Sequence, residues 1–309
     1  MILCLGSAAD PTFLHGLSSL RRTRAEVRAV DVVQLILSGG FVLDAADPLA
    51  SHLDVAGARY RLADVSGVWV RIPDLVHDGL DDETVRRTWS TSRALSATLT
   101  ALAATGVPVV NPPSADLTGF SKPVHLIHMA AQAGFRVPET CVTNVPERVR
   151  AFVAEHDGDV ITKGVSSAKT WARAWDATVD EGRLDLVLAT PIQLQRRVHG
   201  PDVRVHTVGH DLFAELIHSE DVDYRRVRGR SRFVATSCPP DVAAGCRALV
   251  DLTSTPLLGV DFKVDDRDGS WLFLEANTMP CFQGYDARAG GAISSSLAQY
   301  VTRAGLARG

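Results

Sequence analysis

Nowhere in the chain does a run of apolar residues approach the ~20 needed to cross a bilayer. The N-terminus, MILCLGSAADP, lacks the basic segment and long apolar core of a secretory signal. These two absences lead to the expectation of a cytoplasmic protein with no membrane partner. Cysteine is sparse: Cys4, Cys141, Cys238, Cys246 and Cys281 are scattered, without a CxxC pair or any metal-ligand spacing. That pattern excludes a disulfide framework and fits a reducing compartment. Neither sign of charge dominates, and a net charge of -4 over 309 residues argues against non-specific nucleic-acid binding. No GxGxxG follows the first strand signal, so a dinucleotide site there has no support. Internal repeats and low-complexity tracts are absent as well.

What is present is a globular chain, 46% hydrophobic and long enough for two or three packed lobes. Residues 1–113 alternate strand and helix signals in the manner of a doubly wound α/β lobe. Strands are expected at Ile2–Leu5, over the β-branched stretch from Val27 to Leu35, in VSGVWVRIPD up to Pro73, and in VPVVNPP. Asp81 and Asp82 open a long helix whose apolar stripe is Val85, Trp89, Leu95, Leu99 and Leu102, and Gly106 ends it. A second unit, 114–195, starts with a helix capped by Ser121, with Lys122 and Pro123 in its first turn and its end at Gly134. Strands follow in VPETCVT and DVITKGV, and TPIQLQRRV leads into a third unit, 196–309.

The third unit carries the most informative stretch. WLFLEANTMP, residues 271–280, begins as a core strand and then presents Glu275 and Asn277, which share one face because strand side chains alternate. The preceding LLGVDFKVDDRDG reads as its hairpin partner; a turn near Arg267 and Asp268 sets Asp261 roughly opposite Glu275. Two carboxylates that close need a proton or cation between them, and an all-oxygen set with an amide suits Mg²⁺. Lys163 ends the DVITKGV strand before a small-residue loop of Gly164, Ser166, Ser167, Lys169 and Thr170, a setting that can close over phosphate. Gln195 opens a linker whose backbone, through Val198, is free to read an adenine edge. Asp202, Arg204 and His206 alternate on one face of the next strand, and a turn at Gly209 and His210 sets Glu215 opposite Arg204. Arg204 is therefore either half of a cross-strand ion pair or a substrate contact. Cys281 lacks a partner base in sequence, and His125 with His128 lacks a third ligand, so neither is assigned chemistry.

The ordered series NPPSADLTGFSKP, GFRVPETCVT, VITKGVSS, IQLQRRV, DVRVHTVG, GVDF and WLFLEANTMP resembles the ATP-grasp ligases, across residues 108–300. It is most similar to the branch of the ribosomal protein S6 glutamate ligase and the microviridin-type (graspetide) peptide-crosslinking ligases. GVWVRIP, with Arg71, is similar to a tryptophan-arginine strand of the peptide-crosslinking enzymes. The resemblance implies an ATP-grasp fold, α/β overall, with an N-terminal lobe and two lobes clasping ATP. It implies Lys122, Lys163, Ser166 and Ser167 on the phosphates, Gln195, Arg196, Arg197 and Val198 along the adenine, and Asp202 near the ribose. Asp261, Glu275 and Asn277 match the magnesium site, and Arg204 an arginine aimed at the reacting phosphate. The serine-rich loop after Lys163 and the NTMPCF sequence after the metal asparagine depart from the usual pattern.

The implied reaction is ADP-forming ligation: a carboxylate takes the γ-phosphoryl group of ATP, with Mg²⁺ as cofactor, and an amine or alcohol displaces phosphate from the acyl phosphate. The expected substrate is an acidic precursor peptide, oriented by the arginines of DYRRVRGRSR, Arg225 and Arg226 foremost, and by Arg71. A ligase of small amino acids and a non-catalytic ATP-binding protein are the alternatives, and a homodimer is compatible with any of them.

Overall fold

The computed structural model describes residues 1–72, 81–113, 128–165, 171–225 and 229–303. Strands β1 (Ile2–Gly6), β2 (Val27–Asp31), β6 (Gly67–Val70) and β7 (Val109–Val110) form a parallel sheet in the order β2-β1-β6-β7. Parallel neighbours need crossovers, and helices supply them. Asp10 starts the first, Pro11–Arg21, by accepting hydrogen bonds from the amides of Thr12 and Phe13. Asp81 caps the helix Asp82–Ala104, which is followed by Gly106 at φ +84°.

One face of this sheet, through Leu3, Leu5, Val68 and Val70, packs on Leu95, Leu99 and Leu102. The other face carries Ile2, Cys4 and Trp69, and it is covered by Phe13 and Leu17 and by Leu297 and Val301 of the helix Ala292–Arg303. The two ends of the chain thus share one core. Fully burying each of these side chains is worth ~1.5–3 kcal/mol.

Two sequence expectations for this region are corrected, and one element is added. The strand expected over Val27–Leu35 stops at Asp31, whose carboxylate caps a helix, Val32–Ser38, by accepting from the amides of Val33 and Gln34. Capping chemistry outweighs the β-branched propensity there. Trp89 is not part of the buried stripe: it is exposed, with the Arg93 guanidinium 5.3 Å from its ring centre. A small antiparallel sheet of β3 (Gly40–Val42), β4 (His52–Val55) and β5 (Ala58–Arg61) was not expected; the β4–β5 turn is made by Ala56 and Gly57, both at positive φ.

A second sheet, antiparallel in the order β10-β9-β11-β8, contains β8 (Thr140–Thr143), β9 (Val160–Gly164), β10 (Arg173–Ala174) and β11 (Ile192–Arg196). The third has the order β14-β13-β12-β15-β16, from β12 (Asp202–Val208), β13 (Asp211–His218), β14 (Arg232–Thr236), β15 (Gly259–Val264) and β16 (Trp271–Asn277). Its apolar face, with Val203, Val205, Val260, Phe262 and Phe273, packs on Cys246 and Leu249 of the helix Pro240–Thr253 and on Phe135. Phe135 lies parallel to Phe273 with ring centres 5.3 Å apart. The polar side chains of β12, β15 and β16 are left to the opposite face. All five cysteines are free thiols, and no helix among the described residues is long and apolar enough to cross a membrane.

Candidate active site

The register of the third sheet lines up one residue from each of four strands. Glu215 faces Arg204, Arg204 faces Asp261, and Asp261 faces Glu275. Facing residues point the same way, so an alternating row of charge crosses the sheet. The register sets Arg204 opposite Glu215 as expected, but of the two alternatives for Arg204 the ion pair with Glu215 does not form. Arg204 Nη1 donates to Asp261 Oδ2 at 2.7 Å, while Glu215 is gripped by both Nε and Nη2 of Arg288. Arg288 also lies 4.0 Å from the ring centre of Phe233, which keeps it on Glu215 and leaves Arg204 to the site.

A bulge makes the row workable. Asp261 faces Glu275 and the next residue, Phe262, faces Phe273, so Leu274 is the extra residue in β16. Without it Glu275 and Phe273 would share a face. With it Phe273 enters the core while Glu275 turns into the cleft, where Leu274 also lies. Asn277 sits two residues beyond, its Nδ2 at 3.5 Å from Asp261 Oδ2 and 3.4 Å from Glu275 Oε1.

Asp261, Glu275 and Asn277 line a cleft of about 390 Å³ between the second and third sheets. Lys163, at the end of β9, enters from the opposite side and brings Nζ to 3.8 Å from Glu275 Oε2. Arg225 Nη1 lies 3.8 Å from Glu275 Oε1. Burial pushes the Glu275 carboxyl up, but Lys163 and Arg225 outweigh it and hold it below the ordinary value. Asp261 is pushed up, first by burial, with Arg204 opposing and the Glu275 charge adding to the rise. Burial works against the Arg204 charge, and the Asp261 carboxylate more than restores it.

Among the described residues no three His, Cys, Asp or Glu side chains gather as a metal site. The donor set offered is two carboxylates and one amide, whose oxygen and nitrogen can exchange places by a flip. That set fits Mg²⁺, which takes one or two carboxylates and completes its shell with water and phosphate oxygens, and it does not fit zinc.

Asp202 is mostly buried and its carboxylate accepts from Lys263 Nζ at 3.1 Å; burial pushes its carboxyl up to about 6, Lys263 opposing. Gln195 lies within β11, not in a linker, and its amide donates to Thr140 Oγ1. The amides of Arg196 and Arg197 are likewise taken, by the carbonyls of Glu139 and Asp159. The expectation of a freely available backbone from Gln195 onward is corrected to that extent, although Gln195 to Val198 all line the cleft. Arg71 is buried away from the cleft lining, bonded to Asp10 and to the Pro280 carbonyl. Lys122, Ser166, Ser167, Arg226 and His125 lie outside the described residues. His128 is bonded by Gln132.

Two residues escaped the sequence reading. Asp223 is buried, and it accepts from the Arg225 guanidinium through both oxygens and from the Ala172 amide. It thereby fixes Arg225 beside Glu275, and the acidic residue two positions before the first arginine of DYRR was the available signal. Gly259 faces His206 on β12 and Asn277 on β16. A Cβ there would meet Arg204 Nη2 at 2.1 Å, so this strand glycine makes room for the guanidinium.

No family model and no curated protein matches the chain. Solved structures do. The ATP-grasp ligase PsnB, complexed with minimal precursor, Mg and ADP, is 25% identical with a TM-score of 0.82 over 98% of this chain and 97% of that one. The RiPP-associated ATP-grasp ligase of Chryseobacterium gregarium, in complex with ADP and a leader and core peptide, is 21% identical with a TM-score of 0.79 over 98% and 96%. The macrocyclase MdnC of Microcystis aeruginosa MRC, bound with precursor peptide MdnA, is 16% identical with a TM-score of 0.80 over 98% and 100%. The architecture is that of the ATP-grasp fold, and the close structural matches are ATP-grasp ligases. Within that class the chain fits the graspetide ligases, the branch already suggested by its motifs.

Proposed function

We propose that the protein is an ATP-dependent, ADP-forming ligase that joins side chains within an acidic, ribosomally made precursor peptide. The observation that carries this is the pair Asp261 and Glu275 facing Lys163 across one cleft, with Arg204 bonded to Asp261 from the next strand. The similarity to ligases whose structures hold precursor peptide, Mg and ADP or AMPPNP supports both the reaction and the peptide substrate. ATP lies between the units 114–195 and 196–309, with 1–113 as a supporting lobe. Its adenine rests along Gln195 to Val198, its ribose near Asp202, and its phosphates against Lys163, with Lys122, Ser166 and Ser167 assigned to the same task.

In the first step a substrate carboxylate oxygen attacks the γ-phosphorus, the bond to the β–γ bridging oxygen breaks, and ADP leaves. In the second an amine or hydroxyl attacks the acyl carbon, phosphate departs with the carboxyl oxygen, and the nucleophile loses its proton. Asp261, Glu275 and Asn277 would hold Mg²⁺, which would supply neutralising charge to the phosphate oxygens. Arg204 contributes a permanent cation beside the transferring group, and Asp261 keeps it in place. Arg225, fixed by Asp223, sets a second cation at the mouth of the site, where a peptide carboxylate can be paired. The ATP requirement and five free thiols fit action in the cytoplasm.

Hydroxylamine tests the intermediate. With ATP, Mg²⁺ and an Asp/Glu-rich peptide, the parent should convert peptide carboxylates to hydroxamates. A peptide left unmodified while a small amino acid is converted instead would shift the substrate assignment to the small-molecule ligases.

A further inference from the structure

The N-terminal sheet ends within reach of the metal hairpin, and what it places there is specific. Asn111 follows β7 and is buried. Its side-chain Oδ1 accepts from the Leu257 amide at 2.9 Å, and Nδ2 donates to the Leu257 carbonyl at 2.6 Å and to the Thr278 carbonyl. Leu257 lies two residues before β15, and Thr278 directly follows β16. The last ladder pair of the hairpin is Gly259 with Asn277, so the asparagine bonds to both strands just past their final rung. In effect its amide is one more rung, contributed by a different sheet.

Arg71 acts on the same loop. It follows β6, the neighbour of β7 in the sheet. Its Nε donates to Asp10 Oδ2 at 2.7 Å, and Nη1 donates to the Pro280 carbonyl at 2.9 Å. Asp10 in turn caps the helix Pro11–Arg21, so the arginine is anchored to a rigid element on one side and holds the chain three residues after Asn277 on the other. Hairpin ends fray unless the terminal backbone groups find partners. Here Glu275 and Asn277 lie within the last three residues of β16, where fraying would spread them from Asp261.

We infer that Asn111 and Arg71 are positioning residues that fix the open end of the metal hairpin, making the geometry of Asp261, Glu275 and Asn277 depend on the N-terminal lobe. This rests on the assignment of Mg²⁺ to those three residues. It gives Arg71 a role distinct from the peptide contact expected for it from sequence. It also gives the N-terminal lobe a part in phosphoryl transfer although none of its described residues lines the cleft.

Calorimetric titration of the full chain with the ATP analogue AMPPNP, with Mg²⁺ and separately with EDTA, reads the metal-dependent gain in affinity. Asn111→Asp keeps the acceptor for the Leu257 amide but replaces both donor bonds with repulsion between oxygens. Losing two buried hydrogen bonds should cut the Mg²⁺-dependent gain roughly 10- to 100-fold while the affinity in EDTA stays at the parent level. Arg71→Lys keeps the charge opposite Asp10 but loses the fork, and should cut the gain by a smaller factor, roughly 3- to 10-fold. A gain unchanged in folded Asn111→Asp overturns the inference. If Asn111→Asp does not fold, Arg71→Lys decides, and an unchanged gain there overturns it equally. If the parent itself shows no Mg²⁺-dependent gain, the failure belongs to the metal assignment and removes the inference with it.

Discussion

At the scale of single residues the site is a matter of where charge is held and what is left small. Gly259 is the clearest case. Gly259→Ala would drive a methyl group into Arg204 and Pro280, and the guanidinium has to leave Asp261 to admit it. Turnover should fall by at least ~100-fold, the scale of losing one oriented charge at the transferring group, with AMPPNP affinity within a few-fold of the parent. Steady-state kinetics on Gly259→Ala, Arg204→Ala and the double variant check the route: the glycine substitution should cost nothing further once Arg204 is gone, and additive losses would show that the two act independently. Glu275→Gln, nearly isosteric, should abolish ligation without unfolding the chain, since it removes one charge from the metal set; circular dichroism and product formation measured together test this. Asp202 provides a pH signature. Its folded carboxyl is raised to about 6 from an ordinary 3.8, so the folded chain takes up a proton as pH falls through 6 that the unfolded chain takes up only near 4. This group therefore adds stability on acidification between those values and none below them. Urea midpoints measured from pH 7 to pH 4 should show that contribution in the parent and lose it in Asp202→Asn; identical slopes would contradict it.

At the scale of elements, the metal hairpin depends on the bulge at Leu274 to serve a core and a cleft with one strand. Phe273 is the core half, parallel to Phe135 and edge-on to Phe262. Phe273→Ala should destabilise the fold by about 3–5 kcal/mol, read from denaturant unfolding, and Phe273→Leu by much less. The pairing of Asp261 with Glu275 was legible in sequence because turn residues set a hairpin register and the polar residues then fall into place. The bulge was not, although its trace is visible: Trp271 to Leu274 are all apolar, where a one-sided strand alternates. The same limit applies to Arg204. Sequence supplied its facing residue on one side, Glu215, but an arginine in the middle of a sheet has two neighbours, and the stronger partner came from β15. Val27–Leu35 failed for a more local reason, since Asp31 offered its side chain to the amides ahead of it and β-branched residues followed it into a helix.

At the scale of the whole molecule, the cleft exists because the second and third sheets face each other. Motif order across 108–300 was enough to anticipate the ATP-grasp architecture, whereas contacts such as Asn111 with Leu257 and Thr278 join positions more than a hundred residues apart and leave no local signal. Lys163 is the test of closure between the second and third sheets. Lys163→Ala should weaken AMPPNP binding by ~10-fold or more, and Lys163→Arg should not restore it, because a planar fork does not replace a compact ammonium at a crowded phosphate. An affinity unchanged in calorimetry would leave Lys163 as no more than a partner for Glu275.

The most direct test of the central claim follows peptide and nucleotide together. The purified protein is incubated with ATP, Mg²⁺ and an Asp/Glu-rich peptide that also carries Lys, Ser and Thr, and intact mass and ADP are measured over time. The peptide should lose one water for each ADP formed, and Glu275→Gln should produce neither. ADP released with no change in peptide mass, or water lost equally well by Glu275→Gln, would contradict it.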